Sequence, residues 1–116
     1  MDGRKHIAQK RQQKYKLVVT ENFFDELKTI LIYGQTVFGE NTAEKFKNGV
    51  ISHINALPHF PHANLKNRFV ESTERKVYRN IIYEKYYVVY SVTKTTIRVI
   101  SIVHQATNPK KLSKIK

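Results

Sequence analysis

Apolar residues in the first half of the chain recur at steps of three and four, the spacing that places side chains on one face of a helix. The first run begins after Thr20, a suitable N-cap, and ends at Gly39, which predicts a helix of about five turns. A second run begins at Asn41-x-x-Glu44, which resembles a capping box, and continues to Leu57. Because the linker between them is very short, the two helices are predicted to form an antiparallel hairpin.

β-Branched and aromatic residues dominate the second half of the chain. They predict strands at about Val77–Tyr83, Tyr86–Val92 and Thr96–Val103, joined by short turns as in an antiparallel meander. An earlier strand is predicted at Tyr15–Thr20, where apolar residues alternate with others. Residues 58–76 mix proline, histidine and charged residues, and they predict a loop that is the most flexible part of the domain.

The element order β-α-α-β-β-β predicts an α+β fold of two layers, with the helical hairpin packed on a small, mainly antiparallel sheet. The first strand most simply pairs in parallel with the last strand, and the hairpin is then the long crossover. We expect a basic flexible arm over residues 1–14, a single domain over residues 15–112 and a basic tail over residues 113–116.

The composition excludes several classes of protein. The chain has 116 residues and no cysteine, so it has neither a disulfide framework nor a thiolate metal site. No apolar run approaches the ~18 residues of a membrane span, and the basic N-terminus lacks the apolar core of a signal peptide. There is no glycine-rich phosphate loop, so nucleotide hydrolysis is not supported. A cytoplasmic protein without a membrane partner is expected.

The net charge of +12 is unevenly distributed along the chain. Residues 1–16 carry six Lys or Arg against one acid, and residues 110–116 carry four Lys. The helical region, residues 17–57, has three Lys against five acids, whereas residues 58–109 have eight Lys or Arg against three acids. The basic strand half favours a nucleic acid or an acidic protein as partner, although the tails could serve only solubility.

Two polar residues at the borders of the meander are candidates for chemistry. Arg79 lies near the start of its first strand, and His104 follows its last strand. An imidazole can gain or lose a proton near neutral pH, and a guanidinium can bind a phosphate through its planar fork. From the residues alone, two structural explanations stay open: a strand-end histidine bonded to a loop carbonyl, and an ion pair of Arg79 with Glu74 or Glu84.

Other histidines and the tyrosines are weaker candidates. His59-x-x-His62 has a spacing that a metal could use, but no carboxylate or cysteine is close in this proline-containing loop, so no metal site is predicted. His53 lies at the margin of the apolar face of the second helix, and we expect it to be packed and hydrogen-bonded. The tyrosines of the meander are interpreted mainly as sheet-forming residues rather than as base-stacking platforms.

The ordered set of elements and motifs resembles the small toxins of the RelE/ParE superfamily, and within it the ParE-like branch. The resemblance extends from about Tyr15 to Leu112 and does not include the arm at residues 1–14. It rests on the element order and on several motifs, namely Leu57-Pro58-x-x-Pro61, Arg79, the tyrosine-rich strand Tyr86–Tyr90, Ile97–His104 and the ending Asn108-Pro109.

The resemblance implies the toxin of a bacterial type II toxin–antitoxin module, neutralised by an acidic antitoxin. Its target would be either ribosome-bound mRNA, cleaved without a metal or other cofactor, or DNA gyrase, inhibited by binding. For cleavage, His104 and Arg79 would be catalytic. Lys85, Arg98 and Tyr87 would contact the nucleic acid or another target. A third hypothesis is a non-toxic, basic nucleic-acid-binding module of the same fold.

Overall fold

The structure, a computed structural model, describes residues 15–67, 70 and 72–107. The predicted arm at residues 1–14, the Asn108-Pro109 ending and the basic tail lie outside these residues. The predicted order of elements is confirmed, with the bounds β1 (Lys16–Val19), α1 (Glu21–Phe38), α2 (Glu40–Ala56), β2 (Val77–Tyr83), β3 (Tyr86–Val92) and β4 (Thr96–His104). None of the helices in the described part of the chain is long and apolar enough to cross a membrane.

The four strands form one mixed sheet in the order β1-β4-β3-β2. The meander β2-β3-β4 is antiparallel, and β1 pairs in parallel with β4, as predicted, so the helical hairpin is the crossover between them. The register shifts at Val89 and Tyr90, where β4 contains a bulge. Beyond Val99, the outer edge of β4 has no β1 residue beside it and is covered by side chains of α1.

The helical hairpin turns within a single residue. Thr20 caps α1 as predicted, since its hydroxyl accepts a hydrogen bond from the Phe23 N–H at 3.1 Å. Gly39 has φ +97° and ψ 162°, a conformation that other residues rarely adopt, and its N–H still bonds to the Gln35 carbonyl. The predicted capping box at Asn41 is therefore wrong: α2 already begins at Glu40 and has no side-chain cap.

The hydrophobic core lies between the hairpin and one face of the sheet. Phe23 and Leu27 of α1 and Val50 and Ile54 of α2 are buried against strand residues of that face. The strand residues share one side of the pleat because side chains alternate along a strand; they are Ile81, Val88, Tyr90, Val92, Ile97, Val99 and Ile102. The alternation that defines this core also determines which face of the sheet each candidate functional side chain occupies.

The described part of the loop over residues 58–76 is attached to β2. The Asn67 N–H donates to the Tyr78 carbonyl at 2.8 Å, and the Asn80 N–H donates to the Leu65 carbonyl at 3.0 Å. Lys66 thereby forms an isolated antiparallel bridge with Arg79. This segment covers part of the outer edge of β2, whereas the sequence predicted only a flexible loop here.

Candidate functional site

An apolar groove lies between the junction of the two helices and the β2–β3 turn. Its volume is about 730 Å³. The helices contribute mainly aliphatic and aromatic side chains, and the sheet contributes a turn and a strand end; the main lining residues are Ile30, Leu31, Tyr33, Phe38, Phe46, Glu84, Lys85, Tyr86 and His104. Tyr33 and Phe38 are 62% and 64% exposed, so the groove presents large apolar surface that the domain itself does not bury.

A series of edge-to-face ring contacts begins in one wall of this groove and continues beyond it along α2. The centroid of the Tyr86 ring lies 5.3 Å from that of the Phe46 ring in α2 and 5.2 Å from that of the His104 ring in β4. Phe46 also contacts Tyr83 at 5.4 Å, and Tyr83 contacts His53 at 5.1 Å. Such pairs stabilise beyond the area that they bury, by ~1 kcal/mol each. They hold the end of β4 against α2 and fix the position of the His104 ring.

His104 lies at the exposed end of β4, and its Nδ1 accepts a hydrogen bond from the Ala106 N–H at 3.0 Å. Because a backbone N–H can only donate, the neutral ring carries its proton on Nε2. The ring can therefore donate a hydrogen bond to a ligand from Nε2. It could take a proton only at Nδ1, and only by giving up the bond to Ala106. This geometry suits a binding contact better than a general base.

Arg79 lies on the core face of β2, beside Tyr90, and its side chain reaches the loop after α2. Its Nη1 donates to the Asn64 carbonyl, and its Nε is buried without a hydrogen-bond partner among the described residues. The ion pair with Glu74 or Glu84, considered from the sequence, does not form in the described part of the chain. The guanidinium thus holds the loop against β2, and no carboxylate of the described residues neutralises its charge.

Tyr90 completes this second polar cluster. Its hydroxyl donates to the Pro61 carbonyl at 3.2 Å and accepts from the Asn64 side-chain amide at 3.1 Å. Burial raises the pKa of Tyr90, although the Asn64 hydrogen bond and the Arg79 charge act in the opposite direction. In the apolar groove, burial raises the pKa of Tyr86, and the electrostatic effects of Tyr33 and Glu84 raise it further. Both phenols remain protonated at neutral pH and act as hydrogen-bonding groups.

The structure does not bring the two predicted catalytic residues together. Arg79 pairs across the sheet with Tyr90, whereas His104 pairs with Tyr86. These two tyrosines are four residues apart on β3, and Arg79 and His104 lie on opposite sides of that strand. With ~3.3 Å per residue and ~4.8 Å per strand, the two Cα atoms are about 16 Å apart.

The three other predicted site residues lie in two places. Lys85 lines the same groove as His104, and its carbonyl accepts from the Gln105 N–H at 2.8 Å. Tyr87 and Arg98 lie on the opposite face of the sheet, on different strands and four positions apart along it. The structure thus brings His104 and Lys85 together and places Arg79, Arg98 and Tyr87 elsewhere. Whether any of them acts on a target stays a prediction.

The family model described as "ParE toxin of type II toxin-antitoxin system, parDE" matches residues 17–109. The chain belongs to this ParE toxin family. The family match extends from Leu17 in β1 to beyond the end of β4 and confirms the resemblance to the RelE/ParE superfamily.

Two solved structures share the fold of this ParE-family chain at 14% sequence identity. A chain of the chromosomal ParDE toxin–antitoxin system from P. aeruginosa has a TM-score of 0.64, over 79% of this chain and 97% of the other. A chain of the archaeal RelE–RelB complex from Pyrococcus horikoshii OT3 has a TM-score of 0.59, over 82% of this chain and 99% of the other. No curated protein sequence matches the chain.

The sequence interpretation of this ParE-family chain missed the apolar groove. The apolar residues of the first helix were assigned to one face, but Val37 and Phe38 at the end of α1 are half exposed or more. The sequence did contain a signal for this groove. The apolar stripe of α1 continues to its last residue, and too few strand residues lie opposite the helix junction to cover it. The feature that the sequence interpretation missed is therefore an open apolar groove and not a catalytic cluster.

Proposed function

We propose that this ParE-family toxin arrests growth by binding a protein target, DNA gyrase, and not by cleaving mRNA. The observation that carries the proposal is the separation of Arg79 from His104 by about 16 Å. Cleavage of RNA requires a base for the ribose 2′-hydroxyl, a cation at the phosphate and an acid at the leaving oxygen. All three groups must lie within hydrogen-bond reach of the same scissile segment of the substrate. Inhibition by binding needs no such convergence.

One observation favours the alternative, a metal-independent endoribonuclease. Lys85 and His104 line the same groove, so a cation and an imidazole are available in one place. The wall between α1 and α2 is apolar, however, and the His104 Nδ1 is occupied by Ala106. An apolar groove of this kind fits a protein segment better than it fits a ribose-phosphate chain. Either target would place the toxin in the cytoplasm.

The proposed partner that neutralises the toxin is an acidic antitoxin, which would cover α1 and the basic edge of the sheet. Tyr33, Val37 and Phe38 give α1 an apolar surface of the kind that an amphipathic segment covers. Acidic side chains of the antitoxin would then face the Lys and Arg residues of the strand half. The toxin–antitoxin complexes among the structures of the same fold support a partner of this type.

The test is induced expression of the toxin without its antitoxin, with DNA and protein synthesis followed by pulse labelling. We expect DNA synthesis to fall first while mRNA stays intact, and the purified toxin to inhibit gyrase supercoiling. Early loss of protein synthesis, with mRNA cut within codons, would establish the endoribonuclease instead. Growth that continues at full expression would refute both toxic mechanisms and leave a binding module. Hydrogen exchange of α1 with and without the antitoxin tests the proposed interface.

A further inference from the structure

A second groove lies at the other end of the sheet, where β2 and β4 begin. It has a volume of about 770 Å³, and its lining includes Tyr15, His62, Arg75, Val77, Val92 and Lys94. β4 separates it from the apolar groove, because Lys94 lies in the turn before this nine-residue strand and His104 ends it. The strand spans roughly 27 Å, so the two grooves are at opposite ends of the domain.

Basic residues lie at this end of the sheet, and Arg75 and Lys94 line the groove. Lys16 belongs to the same end, since its N–H donates to the Thr95 carbonyl at 2.8 Å. Its side chain lies on the opposite face of the sheet, because Tyr15 and Leu17 on either side of it pack against the core. All three are exposed, and none forms an ion pair with another described residue. Glu74 is the acid among the described lining residues. Cations without carboxylate partners leave their charge available to an anionic ligand.

The acids of the helix junction lie away from this groove. Glu40 and Glu44 line a different pocket there. Arg75 and Lys94 thus place positive charge at the end of the sheet opposite the apolar groove, apart from these acids.

We infer that this basic end of the sheet, defined by Lys16, Arg75 and Lys94, binds the phosphate backbone of nucleic acid. Each exposed cation can replace a counterion on the backbone, which gives affinity without sequence specificity. The inference is independent of the proposed toxin mechanism. It also allows nucleic acid and a protein segment bound in the apolar groove to occupy the toxin together, since these two sites lie at opposite ends of the sheet.

The surroundings favour nucleic acid over an acidic protein or a membrane. Protein interfaces and membrane-binding surfaces commonly have exposed apolar or aromatic side chains at their centre. The large exposed apolar residues of the described chain do not include any that line this groove, where Val77 and Val92 are largely or fully buried. The groove offers charge and polar groups, which is what a phosphate backbone requires.

The experiment measures binding of the full-length toxin to a fluorescent 20-base-pair DNA duplex and to a 20-nucleotide RNA, as a function of salt. The test variant combines Lys16→Gln, Arg75→Gln and Lys94→Gln. Its control combines Lys28→Gln, Lys45→Gln and Lys47→Gln on the helices, with the same loss of charge. All of these side chains lie at the surface, and unchanged melting temperatures check that both variants fold.

We expect the test variant to lose at least about tenfold in affinity at ~0.1 M salt, and its salt slope to fall by about 2 to 3, while the control loses much less. Preference between the two probes identifies DNA or RNA as the natural ligand. Equal losses in the two variants would overturn the inference, because only net charge would matter. Absence of binding by the unmodified toxin would overturn it too, as would equal binding to polyglutamate or to anionic lipid vesicles.

Discussion

The Glu26 carboxylate on α1 accepts a hydrogen bond from the Ser101 hydroxyl on β4 at 2.6 Å. The same oxygen accepts from the Ile102 N–H at 3.0 Å. β1 ends beside Val99, so the following edge of β4 has no strand neighbour and its polar groups need other partners. A helix side chain takes the role of a missing strand and thereby fixes the start of α1 to the sheet.

Removal of this carboxylate should destabilise the domain. In Glu26→Ala the Ile102 N–H and the buried Ser101 hydroxyl lose their acceptor, and we expect a loss of about 2 kcal/mol in the free energy of unfolding. Glu26→Gln should lose less, since its amide oxygen can still accept. Asp25→Asn is the matched control, because Asp25 is exposed and its side chain forms no hydrogen bond or ion pair with another described residue. Urea unfolding measures all three, and equal stability of Glu26→Ala and Asp25→Asn would contradict the assignment.

A glycine of α2 makes room for an aromatic ring. A Cβ on Gly49 would lie 1.8 Å from the Tyr83 hydroxyl and 2.4 Å from its Cζ, so the ring would have to leave its place between Phe46 and His53. We expect Gly49→Ala to cost about 1 to 3 kcal/mol in spite of the higher helix propensity of alanine.

Gly34 on α1 provides the comparison for this prediction. A Cβ there would meet its nearest neighbour, Ala43 Cβ, at 4.0 Å, which is an ordinary contact. Gly34→Ala should therefore stabilise the toxin by up to about 1 kcal/mol. Thermal unfolding of the two variants should shift in opposite directions. A gain for Gly49→Ala would show that the ring of Tyr83 is not held against α2.

The strand register explains how far the sequence could predict the site. Alternation along β2 and β3 predicted their bounds correctly, because turn residues and a period of two leave little freedom. The same alternation places Arg79 on the core face with Ile81. The distance between Arg79 and His104 depends on which residues of β3 face them, and no local pattern specifies that register.

Backbone contacts set a second limit on prediction. The pairing of Leu65 and Asn67 with β2 consists of main-chain hydrogen bonds, which leave no periodic signature in the side chains. Similarly, the one-residue turn at Gly39 depends on ψ as well as on a positive φ. For the start of α2, the Asn41-x-x-Glu44 motif was a stronger local signal than the residues around the true start at Glu40. Sequence patterns identify elements well and their junctions less well.

The buried phenol of Tyr90 predicts a specific loss of stability at alkaline pH. Its folded-state pKa is raised above 10.0, chiefly by burial, so the stabilising effect of the protonated form is complete below pH 10 and is lost as the pH rises through the folded pKa. Tyr90→Phe should lose about 1 kcal/mol at pH 8, through the bonds to Pro61 and Asn64. As the pH rises above 10, the unfolding free energy should fall more steeply for the unmodified toxin than for the variant. Parallel curves would contradict a buried, protonated phenol.

His104→Asn separates binding from proton transfer. The Asn side-chain oxygen can accept the Ala106 N–H as Nδ1 does, so the strand end keeps its hydrogen bond, while no group remains that can exchange a proton. If the toxin acts by binding, growth arrest at matched expression should change by no more than a few-fold. A general acid or base would instead contribute about 10² to 10⁴ in rate. His53→Asn is the control, because His53 is another exposed histidine, bonded to the Gly49 carbonyl at 2.8 Å and outside the apolar groove. Loss of arrest in His104→Asn alone, with its melting temperature retained, would show that the imidazole takes part in catalysis.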